Sequence, residues 1–409
     1  MKKILFLTIA TMLICACGKN NDRKQSRSGV VSKSTSSQVT SIPLSKPTIN
    51  VYIENSGSMD GYVKGITEFE QTIYNYLSDI LISHTTDSLN LFYINSEVSK
   101  PNLALEDFIQ KLEPSTFQKY GGKRGTSDIA NVLETVLAKT GKNQISILVT
   151  DGIFSPGRGI DAEEYLINQQ IGIKKRFADY LERTPNASVI VYQLSSKFNG
   201  TYYNKIDAKK QINEQRPYYL WVIGDAKQVS QLRKNVPDSK FIYGVQNVFT
   251  SIVGNRIVKY ALKANIGTYD FPRDGSCTIK NIKKDKRTGK VQFAVNSDFS
   301  DLLLDDRYLL NITNYENNSK YILTVNPYSG QNSTYSHTFL FASTDRVYSG
   351  NIVVKLKAIL PAWIEEANDD KGVTAVPEKT YGIKYQLGGV FDAFTFKDNY
   401  YTEIKININ

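Results

Sequence analysis

Short apolar runs alternate with stretches of helical periodicity between residue 49 and about residue 254. The runs 89–94 and 145–149 are nearly continuous in aliphatic and aromatic residues, which is typical of strands buried within a parallel sheet. Apolar residues spaced three or four apart predict helices between the runs, namely Ile66, Phe69, Ile73, Leu77, Ile80 and Leu81 in the first and Ile129, Val132, Leu133, Val136 and Leu137 in a later one. We therefore predict a doubly wound α/β domain with a mainly parallel sheet over residues 49–254.

From about residue 265 the pattern changes to strand-like segments separated by turn residues. These segments are 276–282, 291–295, 308–313, 321–325, 338–342 and 352–359. They predict an all-β, sandwich-like domain over residues 265–409. The apolar segment 381–396 fits helix and strand equally well. The polar stretch 195–217, before the last strand of the first domain, is predicted to be an irregular solvated loop.

Oxygen-bearing side chains follow the first predicted strand. Glu54, Ser56 and Ser58 occupy alternate positions of a loop at its carboxyl end, which is the edge where open α/β sheets place their ligands. Carboxylate and hydroxyl oxygens suit Mg²⁺, Ca²⁺ or Mn²⁺ better than a metal that prefers nitrogen or sulfur. Thr126 precedes a predicted helix, and Asp151 directly follows the buried strand 145–149. Thr126 also fits a purely structural role as a helix cap.

Taken together, the three loops resemble the metal-ion-dependent adhesion site of the von Willebrand factor A (vWA) family. In that family an Asp-x-Ser-x-Ser loop, a distant Thr and an Asp-Gly share one divalent cation. The matching positions are Ser56, Ser58, Thr126 and Asp151, with Glu54 in the place of the first Asp. The resemblance implies a Rossmann-like vWA fold that binds a divalent cation, with Mg²⁺ as the first choice and Ca²⁺ or Mn²⁺ as alternatives. It also implies a protein partner whose Asp or Glu completes the coordination of the metal.

The N-terminus is similar to that of a bacterial lipoprotein. Two lysines precede a short apolar run, which predicts a signal peptide over residues 1–16, and Cys17 then matches the lipidated residue of a lipobox. Residues 17–48 predict a lipidated cysteine and a flexible basic tether. The residues after Cys17 partly resemble the export tag of Bacteroidota lipoproteins. We therefore expect an outer-membrane lipoprotein in the cell envelope, on either the periplasmic face or the cell surface.

The charge distribution and the numbers of cysteines and histidines reduce the classes of function that fit this sequence. The net charge of +10 is concentrated near the N-terminus, where the tether carries six Lys or Arg against one Asp. The folded remainder is nearly balanced, so we expect no nucleic-acid partner. Cys277 is the only cysteine after Cys17, and there are two histidines, His84 and His337, neither in a recognisable catalytic motif.

The sequence therefore favours a binding protein for adhesion or assembly over an enzyme. One alternative is a structural docking lipoprotein of a secretion or envelope complex that needs no metal. A second is a metal-dependent hydrolase, for which the sequence offers no identifiable base. Two further sites in the second half remain alternatives. The acidic residues at 365–370 could form a calcium-binding loop, and the tyrosines could form a surface on which sugars stack. The tyrosines are Tyr308, Tyr315, Tyr321, Tyr328, Tyr335, Tyr348, Tyr381, Tyr385, Tyr400 and Tyr401.

Overall fold

The structure, a computed structural model, describes residues 45–125, 128–156, 158–272, 276–331 and 333–409. The predicted signal peptide 1–16, Cys17, most of the tether 17–48 and Thr126 lie outside these residues.

A seven-stranded mixed sheet covered by helices forms the first half of the chain. Its strands are β1 (Thr48–Glu54), β2 (Leu89–Ile94), β3 (Val98–Ser99), β4 (Gln144–Thr150), β5 (Ala187–Tyr203), β6 (Lys209–Asp225) and β7 (Asn247–Ile252). The helices are α1 (Glu68–Ile82), α2 (Leu105–Gln110), α3 (Pro114–Phe117), α4 (Ile129–Lys139), α5 (Ala162–Arg183) and α6 (Ala226–Asn235), with 3₁₀ turns at Gly57–Gly61 and Asp238–Lys240. The strand order is β3-β2-β1-β4-β6-β5-β7.

The predicted mainly parallel sheet is confirmed only at its three strands β2, β1 and β4. Every other neighbouring pair in this sheet is antiparallel. For β6, the reason is its connection to β5, which is a short turn over residues 204–208 rather than a crossover helix. A short turn can join only antiparallel strands, so β6 enters the sheet beside β4 in the opposite direction.

The prediction of an irregular loop over residues 195–217 is wrong. These residues form the outer part of a long β5–β6 hairpin, whose register runs from Ala187 opposite Asp225 to Tyr203 opposite Lys209. The outer part of β6 is largely exposed and polar, so the hydrophobicity of the sequence does not predict a strand there. Its backbone groups are satisfied by hydrogen bonds to β5, which do not depend on apolar side chains.

The predicted helices of this half are confirmed where the periodicity was strongest. Helix α1 buries Phe69, Ile73 and Leu77 on one face, and the hydroxyl of its N-cap Thr67 accepts from the amide of Glu70. Helix α4 begins after Asp128, whose carboxylate accepts from the amide of Ala130 at 3.0 Å. Such caps satisfy donors that the first helical turn leaves unpaired.

Two further sheets form most of the second half. The strands are β8 (Lys259–Ile266), β9 (Thr268–Asp270), β10 (Thr278–Lys283), β11 (Val291–Asp298), β12 (Tyr315–Asn317), β13 (Ile322–Pro327), β14 (His337–Ser343), β15 (Gly350–Lys357), β16 (Asn368–Asp369), β17 (Thr380–Tyr381) and β18 (Tyr400–Ile408). The short helices are α7 (Asp306–Leu309) and α8 (Trp363–Glu366), followed by the longer α9 (Ile383–Phe394), with 3₁₀ turns at Ser300–Leu302 and Ile312–Asn314.

The sheet orders are β12-β15-β18-β10-β9 and β13-β14-β11-β8, and β16 pairs separately with β17. Side chains of the two larger sheets meet in a shared core, where the rings of Tyr315 on β12 and Phe339 on β14 lie 5.2 Å apart. The strand predicted at 308–313 is wrong. Asp305 caps α7 there by accepting from the amide of Arg307, and a 3₁₀ turn follows.

Helix α9 returns the chain to the first sheet. It packs lengthwise on α5 so closely that a Cβ on Gly389 would lie 2.6 Å from the carbonyl oxygen of Gln170. The segment 381–396, left open by its sequence, is mostly helical: Leu387 and Val390 are buried, and its glycines allow the close approach to α5. Within the described residues, no helix is long and apolar enough to cross a membrane.

Candidate metal centre

The candidate site lies where the parallel strands β1 and β4 end. Their register places Ile53 opposite Val149, so Glu54 and Thr150 are neighbours at the carboxyl edge. The Thr150 hydroxyl donates to Oε2 of Glu54 and accepts from the amide of Gly152 at 2.9 Å. Glu54 is almost fully buried, which fixes one carboxylate at the base of the site.

The loop after β1 brings two hydroxyls to the same edge. The Oγ atoms of Ser56 and Ser58 lie 3.0 Å apart; Ser56 is buried and Ser58 is half-buried. Arg124 holds the loop from outside, with Nε donating to the carbonyl oxygen of Asn55 at 2.8 Å and its own carbonyl accepting from the amide of Gly57 at 2.9 Å. Its guanidinium also pairs with Asp60.

Two buried asparagines join this loop to the segment before α4. Nδ2 of Asn55 donates to the carbonyl oxygens of Phe117 and Tyr120 at 3.1 and 2.9 Å. Asn95, at the end of β2, donates to Oδ1 of Asn55 at 2.9 Å. Asn55, Asn95 and Arg124 were not predicted to contribute to the site. Asn55 lies inside the loop that was singled out, and only its position between proposed ligands could have indicated this role.

Asp151 is a buried carboxylate with few hydrogen bonds to stabilise its charge. It is 2% exposed; Oδ1 accepts from the amide of Ile153 at 3.1 Å, whereas Oδ2 has no hydrogen-bond partner among the described residues. Burial, and then the negative charge of Glu54, raise the pKa of Asp151 to about 7. The Ser58 hydroxyl, the Ile153 amide and the more distant Arg216 oppose that rise but do not cancel it.

These residues fit a hard divalent cation. An unpartnered buried carboxylate oxygen beside a second carboxylate and two hydroxyls is costly unless a positive charge offsets it. All the donors are oxygens, as Mg²⁺ and Ca²⁺ prefer. The described part of the chain holds no group of three or more His, Cys, Asp or Glu that could bind a metal, so the serine hydroxyls would have to complete the ligand set. Thr126, the remaining predicted ligand, is outside the described residues.

The β5–β6 hairpin covers one side of the serine loop. A Cβ on Gly57 would lie 3.3 Å from the Tyr203 hydroxyl, and one on Gly61 would lie 2.4 Å from the Phe198 ring. The tip of the hairpin is in turn bonded to residues 372–373, because Nδ2 of Asn204 donates to the carbonyl oxygen of Val373 at 3.0 Å. This cover was not foreseen, since the hairpin was predicted to be an irregular loop.

The floor of the site is formed by the strand end and α9. Gly152 has φ +65°, a conformation that favours glycine, and its carbonyl accepts from Nε2 of Gln386 on α9. The guanidinium of Arg216, which is 2% exposed, donates to the carbonyl oxygen of Val376 at 2.6 Å and lies 3.7 Å from Glu214. The charge of Arg216 therefore reaches Asp151 only at longer range.

The acidic cluster at 365–370 makes bonds within the protein. Both carboxylate oxygens of Asp369 accept backbone amides, at 2.9 and 3.2 Å, and Lys384 pairs with Glu365 and Asp370 at 3.1 and 2.6 Å. These contacts support a structural role for the cluster.

Comparisons with family models, with curated proteins and with solved structures give no match to this chain.

Proposed function

We propose that the chain is a binding protein of the cell envelope that uses a divalent cation to engage an acidic group on a protein partner, in adhesion or assembly. Glu54, Ser56, Ser58 and Asp151 would hold the cation, together with Thr126 from the vWA resemblance. The cation would supply a positive charge and an exchangeable coordination position. The observation that carries the proposal is the buried, unpartnered Oδ2 of Asp151 beside Glu54.

The geometry also supports an approach of the partner from the side of Ser58 and Tyr203. Ser58 is the most exposed of the four described ligands, and Gly57 beside it faces the Tyr203 hydroxyl. Nζ of Lys209 lies 5.6 Å from the centre of the Tyr203 ring, which adds a positive charge to this rim. A cationic rim would favour encounter with an acidic segment.

Calorimetry with MgCl₂, MnCl₂ and CaCl₂ tests the metal step on the purified protein. We expect binding by the wild type and by Glu182→Gln, which removes an exposed carboxylate on α5, and none by Asp151→Ala. Recovery of a cross-linked partner should then fall when a chelator is added. If no divalent cation binds to the wild type, the cation-dependent proposal fails.

A second candidate is a docking protein that needs no metal. It is favoured by the cover over the serine loop and by the Thr150 hydroxyl, which already satisfies one oxygen of Glu54. This candidate predicts that the partner is recovered equally well in chelator. It also predicts that Asp151→Ala leaves partner recovery unchanged.

Replacing Glu54 with Asp should strengthen Mg²⁺ binding. Glu carries one more methylene than the family's Asp, and Mg²⁺ demands closer octahedral geometry than Ca²⁺ does. We expect the affinity for Mg²⁺ to rise on the order of tenfold, with a smaller change for Ca²⁺. Calorimetric titration of both ions into both proteins measures this ratio. An equal or weaker Mg²⁺ affinity in the variant would contradict the proposed role of Glu54.

Cys17→Ser should prevent stable membrane attachment. Lipidation at Cys17 would carry the anchoring, whereas the basic tether alone gives weak, salt-sensitive association. We expect the wild type to stay in the membrane fraction after a high-salt wash and the variant to be released. Retention of the variant would show that Cys17 is not the anchor or that a partner holds the protein there.

A further inference from the structure

A cleft opens in the second half of the chain and shares no residue with the candidate metal centre. It has a volume of about 400 Å³ and is lined by residues 318–321, between β12 and β13, and residues 346–352, which lead into β15. Its volume is within the range of small-ligand sites in proteins. The cleft is therefore large enough for more than a simple ion.

The walls of the cleft are held in place by hydrogen bonds from the side chains of Tyr321 and Asn318 to the backbone. The hydroxyl of Tyr321, a residue that is 3% exposed, donates to the carbonyl oxygen of Tyr348 at 2.9 Å and accepts from its amide at 3.1 Å. The side chain of Asn318 accepts from the amide of Val353 at 2.8 Å and donates to the carbonyl oxygen of Asn351 at 3.3 Å. A loop fixed in this way loses little conformational entropy when a ligand binds.

Two cations flank the aromatic ring inside the cleft. The ammonium of Lys320 lies 5.8 Å from the centre of the Tyr348 ring, and the guanidinium of Arg346 lies 5.1 Å from it. Both side chains are exposed, and neither forms an ion pair within the described part of the chain. Asp345, which precedes Arg346 in the chain, already accepts from the Tyr348 hydroxyl at 2.9 Å. Two positioned cations without partners attract an oxyanion.

We propose that this cleft binds a carboxylated or sulfated saccharide. Lys320 and Arg346 would bind the acidic group, while the exposed hydroxyl of Ser349 and the exposed side-chain amide of Asn351 are suited to sugar hydroxyls. A simple oxyanion would leave most of the cleft unfilled. This proposal does not depend on the metal centre, because the cleft shares no residue with it.

The test is calorimetry on the full-length protein in chelator, with four probes: trigalacturonate, a sulfated heparin-derived disaccharide, neutral maltotriose and inorganic sulfate. We expect at least one acidic saccharide to bind, maltotriose not to bind, and sulfate to bind at least about tenfold more weakly than that saccharide. The double variant Lys320→Ala/Arg346→Ala should lose at least about tenfold in affinity. The matched control is Lys259→Ala/Lys263→Ala, which removes two exposed lysines from β8. This strand forms an edge of the four-stranded sheet and does not line the cleft.

Several outcomes would overturn the proposal. One is that neither acidic saccharide binds, and another is that the control variant weakens binding as much as the cleft variant. Sulfate binding as tightly as the saccharides would reduce the cleft to a simple anion site. An acidic peptide and an RNA oligonucleotide are titrated as two additional probes, and tighter binding of either would assign the cleft to another class of ligand. Thermal unfolding of both variants verifies that each is folded.

Discussion

Asp151→Asn is expected to abolish cation binding and, in the absence of metal, to stabilise the protein above neutral pH. Burial and Glu54 hold the pKa of Asp151 near 7 in the folded state, well above its value in an unfolded chain. The folded state therefore binds this proton more tightly, so stability falls as the pH rises from about 4 to about 7 and the cost remains above that range. A neutral asparagine removes that cost, and its Oδ1 still accepts from the Ile153 amide.

Thermal or urea unfolding at pH 8 in chelator measures the first effect. We expect Asp151→Asn to exceed the wild type by an amount on the order of 1–3 kcal/mol and to lose this advantage near pH 4. Adding MgCl₂ should stabilise the wild type, through binding to the folded state alone, and leave the variant unchanged. Glu182→Gln should follow the wild type throughout. A metal-free variant that is less stable than the wild type at pH 8 would contradict the account of the buried charge.

The parts of the fold that the sequence predicted are those in which hydrophobicity and geometry agree. β1 and β4 are largely apolar runs buried on both faces, β2 is a largely apolar run that is only partly buried, and α1 and α4 carry clear helical periodicity. β1 ends at Glu54 and leads into the loop with Ser56 and Ser58, and β4 ends directly before Asp151. The four therefore lie at one edge of the sheet, as expected from strands that end together.

The parts that were missed depend on contacts that a pattern of apolar residues does not record. The outer hairpin is held by strand pairing and by packing against Gly61, and the direction of β6 follows from the short turn at 204–208. The role of α9 at the site depends on Gln386, which reaches the carbonyl of Gly152 across more than two hundred residues of chain. Arg124 and Asn95 act through backbone carbonyls, which leave no signature in a single sequence.

The contact between the hairpin and the serine loop gives a second large effect. A Cβ on Gly200 would lie 2.6 Å from Cα and 2.9 Å from the backbone nitrogen of Gly61. Gly61 ends the 3₁₀ turn Gly57–Gly61, which carries Ser58, so a shift of the Gly61 backbone would move a proposed ligand. Gly200→Ala should therefore destabilise the protein by about 1–3 kcal/mol, as overpacking does elsewhere.

The same substitution should weaken Mg²⁺ binding, because displacement of the turn moves the Ser58 hydroxyl away from Asp151. Urea unfolding and calorimetry on the same preparation measure both effects. Gly141→Ala is the matched control, since its Cβ would meet nothing closer than 3.4 Å. Loss of stability in Gly200→Ala with unchanged Mg²⁺ affinity would separate the hairpin from the metal centre. The hairpin would then be a structural cover, and Ser58 would be positioned by Arg124 and the strand end alone.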